Sequence, residues 1–111
     1  MNKRAKKLNT ITKTGAGVDF KLRVVLIREG VAIVAYVPAL DLTTHGDSED
    51  DAVQAAQEAA AAFLDELSKM NTLEDILLDL GWQKDGESEA FPYTPPEVIH
   101  AARSVHVQCH A

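Results

Sequence analysis

Between Val31 and Met70 the chain passes from an apolar, β-branched run to a helical repeat. Val31 to Val37 has the composition of a strand with at least one buried face. Pro38 cannot donate to a ladder, so it ends that strand or lies at an edge. Thr43-Thr44-His45 allows one more short extended run, and Gly46 has the freedom to turn the chain. Ser48 then offers an N-cap hydroxyl, with Asp51 three residues on as a shortened capping-box acid. Glu49, Asp50 and Asp51 complement the dipole of the first turn. Ala52, Ala56, Ala59, Phe63, Leu67 and Met70 recur at spacings of three and four, one apolar stripe of a long helix. Val53, Ala60 and Leu64 widen it.

Upstream, Val18, Phe20, Leu22, Val24 and Leu26 alternate with Asp19, Lys21, Arg23, Val25 and Ile27, which predicts a strand over 18–28. Its polar face turns apolar at Val25, as expected where both sides are covered. Glu29-Gly30 predicts a tight antiparallel hairpin into the next strand. Downstream, Thr72 caps a short helix, with Asp75 at the capping-box position and Leu73, Ile76, Leu77 and Leu80 on its buried face. Gly81 fits the left-handed C′ position, and Trp82 can pack back on Leu77. Residues 83–93 read as a loop without a period. Thr94-Pro95-Pro96-Glu97 starts one or two helical turns or stays extended. Val105, Val107 and Cys109 alternate with His106, Gln108 and His110, a last strand over 104–110 returning beside the first. The expected class is α+β: a three-stranded antiparallel sheet plus a C-terminal strand, with one long and one short helix on one face, in the order β-β-β-α-α-β.

Three pieces of this chain carry a family pattern: Tyr36-Val37-Pro38-Ala39-Leu40, Thr44-His45-Gly46-Asp47-Ser48 and Asp51-Ala52. In order and spacing they resemble the HicB-like antitoxin family, and the short helix ending in Leu80-Gly81-Trp82 adds to the likeness. The resemblance runs from about Phe20 to Trp82. Asp41-Leu42-Thr43 differs from the Pro-Gly-Cys usual in that family. What the resemblance implies is a partial ribonuclease-H-like fold without that enzyme's active site. It also implies an antitoxin of a type II toxin-antitoxin system, which neutralises a small basic ribonuclease (HicA-like) toxin by direct binding.

At 111 residues and 12.1 kDa the chain has the size of one small domain. No apolar run reaches the length of a membrane span. A single cysteine, Cys109, excludes an internal disulfide and fits a reducing, cytoplasmic setting. Charge is uneven. Lys3, Arg4, Lys6, Lys7 and Lys13 put +5 in the first thirteen residues, so the rest carries −11 of the chain's net −6. A flexible basic arm over 1–17, ending in Thr14-Gly15-Ala16-Gly17, and a single domain over 18–111 are the expected division. The arm reads as a solvated terminus, with nucleic acid or a membrane surface as its alternative ligands.

Few constellations suggest chemistry. Asp41, His45 and Asp47 gather around a turn, and alternation would put them on one side, the arrangement of a small hydrolase or metal site. The competing reading is that Asp41 serves a turn and Asp47 a helix start. Asp47-Glu49-Asp50-Asp51 lacks the spacing and Gly of a calcium loop. His106 and His110 share a strand face but stand about 13 Å apart, too far for one metal within a chain. Cys109 reads as a small buried hydrophobe. No Gly-rich phosphate loop, Cys-x-x-Cys, Ser elbow or zinc-binding His-Glu pair occurs. The expectation is therefore no enzyme, no cofactor, no metal and no membrane association.

A binding protein of the antitoxin kind is the leading reading. An orphan oligomer of the same fold comes second and a hydrolase at His45 third. A basic toxin would be met by exposed acids on the helices: Glu49, Asp50, Glu58, Asp65, Glu66, Glu74 and Asp79, with Asp51 engaged in capping. Open sheet edges and the wide apolar band of the long helix predict a homodimer or a higher even oligomer. The residues after Trp82 show no two successive amphipathic helices, so no dedicated DNA-binding domain is expected.

Overall fold

The computed structural model of the chain describes residues 9–15, 17–84, 86, 91–96 and 103–109. In chain order its elements are β1 (Thr10–Thr14), β2 (Gly17–Lys21), β3 (Val25–Glu29), β4 (Ala32–Val37), β5 (Leu42–Gly46), α1 (Glu49–Lys69), α2 (Leu73–Asp79), β6 (Gln83–Lys84) and β7 (Phe91–Thr94), with one 3-10 turn at Pro38–Leu40. Two antiparallel sheets result, one ordered β3-β4-β5 and the other β2-β1-β7-β6.

The α+β class follows directly from the alternation along β4. Ile33, Ala35 and Val37 are buried, while Ala32, Val34 and Tyr36 on the other face are half-buried. Ala52, Ala56 and Ala60 of α1 cover that buried face, and their small side chains let helix and sheet approach closely. Gly30, at φ 62°, makes the two-residue turn that pairs Glu29 with Ala32, so the expected hairpin forms. Ser48 caps α1 as its sequence suggests, its Oγ accepting from the Asp51 amide at 3.1 Å.

Both helices end in the same way. Thr72 N donates to Leu67 O and Asn71 N to Ser68 O, with Asn71 at φ 59°. Trp82 N donates to Leu77 O and Gly81 N to Leu78 O, with Gly81 at φ 98°. Each is a Schellman ending, and the second is the one predicted. Trp82 is then fully buried and its Nε1 donates to Ala39 O at 2.8 Å, tying the end of α2 to the 3-10 turn.

Several expectations are corrected. The strand expected over 18–28 is two strands in two sheets, divided at Leu22–Val24. The amide of Arg23 donates to Asn9 Oδ1 at 2.8 Å, outside either ladder. Thr10–Thr14, placed in a flexible arm, is a strand whose Ile11 is fully buried and registers with Phe20 on one side and Tyr93 on the other. The strand that returns to cover it is Phe91–Thr94, within and just beyond the stretch read as a loop, and not 104–110. Arg103–Cys109 belong to no sheet and are exposed, Cys109 included; His110 lies outside the described residues. The helical turn considered at Glu97 also lies outside them.

Along α1 the buried line is Ala52, Ala56, Ala60, Leu64 and Leu67, while Ala59 and Phe63 are half-buried and Met70 is 58% exposed. Thr72 stands at the N-cap of α2, but its hydroxyl donates to Leu67 O instead of capping.

Candidate functional site

The three sequence pieces singled out above meet at one junction, the passage from β4 through the 3-10 turn and β5 into α1. Each residue there has a local structural task. Asp41 takes a left-handed conformation, φ 53°, and its amide closes the turn on Pro38 O. Tyr36 donates its phenolic proton to Asp41 Oδ1 at 3.1 Å. That bond to a carboxylate, helped by slight burial and by the Asp41 charge, raises the Tyr36 phenol above its ordinary pKa. Thr44 Oγ1 donates to Ala52 O at 3.2 Å, joining β5 to α1. A Cβ on Gly46 would stand 2.6 Å from the Ala52 nitrogen, so only glycine allows the helix to start so close to the sheet.

The same geometry dissolves the supposed cluster at His45. The β5 ladder runs only from Leu42 to Gly46, so strand alternation does not extend to Asp41 or Asp47. His45 is exposed and registers with Val34 on the sheet face turned away from α1. Asp41 is engaged by Tyr36, and Asp47 lies in the bend before α1. Among the described residues, no three His, Cys, Asp or Glu side chains come together as metal ligands would.

The acids named as partner-binding are all exposed: Glu49, Asp50, Glu58, Asp65, Glu66, Glu74 and Asp79. Glu58 and Asp65, two turns apart, lie on the side of α1 opposite its buried line. Three of the seven have neighbours that engage them. Asp65 pairs with Lys69 at 3.1 Å, Glu74 with Lys84 at 3.5 Å, and Glu58 accepts from Gln54 at 3.1 Å. Lys69 is held above its ordinary pKa by that bond to Asp65 and by the surrounding acids. The ion pairs are exposed and count for little in stability.

One feature escaped sequence reasoning. Where the chain leaves β2 for β3, a groove of about 470 Å³ opens against α1. Val18, Phe20, Leu22 and Val24 form one wall, Val53 and Gln57 of α1 the other. The signal was the adjacent pair Val24-Val25, where the apolar period shifts by one, as it does when a chain changes sheets. Among the described residues, no helix is long and apolar enough to cross a membrane. Comparison of the chain with models of known protein families, with curated proteins and with solved structures finds no match.

Proposed function

We propose that this chain is a non-catalytic binding protein of the HicB-like antitoxin kind, cytoplasmic, which neutralises a small basic ribonuclease toxin by direct binding and assembles as a homodimer or a higher even oligomer. The observation that carries the reading is the acidic outer surface of the two helices. Glu58, Asp65, Glu66, Glu74 and Asp79 are exposed there, offset by Lys69 and Lys84. A small protein that binds RNA needs a basic surface, and an acidic body attracts it over a Debye length of about 8 Å. Such attraction raises the association rate more than the final affinity. The junction residues support the reading in a second way, since they build a scaffold and leave no converging acid-base group.

The test begins with purification from the native host and identification of what accompanies the protein. A basic ribonuclease whose RNA cleavage stops on adding this chain is the expected result. Changing Asp65→Asn, Glu66→Gln and Asp79→Asn together should slow association with that partner and flatten its salt dependence. Deleting residues 1–8 should leave affinity unchanged. If the deletion abolishes binding and the three substitutions do nothing, the basic arm is the ligand and the electrostatic reading fails. The orphan oligomer remains the second reading. It is favoured by the sheet face turned away from α1, where Val25, Ile27, Val34 and Tyr36 lie together with Ile27 exposed. An even oligomer purifying without a basic companion would select it.

A further inference from the structure

We infer that Val105 and Val107 of one copy fill the groove beside Leu22–Val24 of a second copy, in a reciprocal exchange of C-terminal segments. The inference deepens the oligomer part of the reading above. It does not depend on a toxin.

Two unsatisfied surfaces of the same molecule match. The first is the groove. Val18, Phe20, Leu22 and Val24 present an apolar side chain every second residue along its wall. β2 is the edge of one sheet and β3 the edge of the other, and Leu22–Val24 between them lie in neither ladder. An extended chain laid along this stretch would find both apolar pockets and open backbone, as in strand addition. The second surface is the segment Arg103–Cys109. It carries valines two residues apart, the same spacing of about 7 Å as the wall. Val105 is 86% and Val107 69% exposed, although both are β-branched and apolar.

Charge favours the same contact. Arg103–Cys109 holds Arg103 and no acid, whereas the stretch from Thr14 to Glu97 carries −12, from all seventeen acids and five of the eleven bases. A second copy is the occupant because the segment stands exposed in its own chain. A two-fold exchange also repeats the contact. One short strand covers less than the roughly 1,200 Å² that a stable interface buries, and the repeat doubles its contribution.

The experiment is sedimentation equilibrium on the full chain over a range of concentrations. The wild type should be a dimer at micromolar concentration. Val105→Ser with Val107→Ser, both on an exposed segment, should raise the dimer dissociation constant by about 100-fold or more. Val53→Gln on the groove wall should do the same, with its circular dichroism unchanged as the check on folding. Mixing the two variants should restore a heterodimer, because one intact segment and one intact groove remain. Failure of the mixture to associate overturns the inference, and so does a tail variant as dimeric as the wild type. That second outcome leaves the oligomer itself standing. A monomeric wild type would overturn both.

Discussion

Gly46 stands where β5 ends and α1 begins. A side chain there would meet the Ala52 nitrogen at 2.6 Å and the Asp51 carbonyl carbon at 2.8 Å, and backbone cannot give way as a flexible side chain would. Gly46→Ala should therefore cost about 1–3 kcal/mol, read as a lower denaturant midpoint. Gly15→Ala, with nothing within 4 Å of the added carbon, should stay within about 0.5 kcal/mol. The two phenols make a second case. Burial, and then the charge of Glu74, push Tyr93 up to about 12 from an ordinary value of 10.0. Because the folded value is the higher one, the stability linked to Tyr93 is complete below about pH 10 and is lost as pH rises toward 12. Tyr36 is also raised, through its bond to Asp41. Tyrosinate absorbance should show Tyr36→Phe protein titrating in one step near 12, since Tyr36 and Tyr93 are the chain's two tyrosines. A step near 10 would mean that water reaches the Tyr93 hydroxyl.

At the scale of elements, α1 separates what a helical period tells from what packing decides. The three-and-four spacing was satisfied by two neighbouring lines, one through Ala59, Phe63 and Met70 and one through Ala60 and Leu64. They differ by one position, about 100° around the helix. The second line is buried because α1 serves β4 and β5 on one side while its flank meets β2. Leu64→Ala should then cost about 2–5 kcal/mol, and Met70→Ala no more than about 0.5 kcal/mol, both measured by denaturant unfolding. Helix ends were more legible. Ser48, Gly81 and Trp82 act through bonds that span only a few residues, and all three do what their positions suggested. Strands were less so. The alternation at Val105 to Cys109 is regular yet forms no ladder within the chain, whereas Phe91–Thr94 contains a proline and pairs on both sides.

For the whole molecule, the order of strands matters more than their number. β1 holds the second sheet together, since it pairs with β2 and β7 at once and buries Ile11 between them. Removing residues 1–13 should abolish cooperative thermal unfolding, because it takes away most of a central strand and a core side chain. A normal melting curve for that deletion would show the second sheet to be dispensable. This also limits how the basic arm can be tested, since Lys13 lies in the strand while Lys3, Arg4, Lys6 and Lys7 precede it. By itself, the sequence determined the α+β class, the β3-β4 hairpin, the start of α1, the end of α2 and the acidic outer surface of the helices. Those features rest on spacing, capping and charge within a few residues. Only the tertiary structure decided that 18–28 changes sheets, that Thr10–Thr14 is a central strand, that Phe91–Thr94 closes the sheet and that a groove opens where the chain crosses. Each of these depends on which segments meet from distant parts of the chain, as when Ile11 registers with Tyr93. The entropy of closing such loops is recovered only by the contacts that close them, and a local pattern carries no record of those contacts.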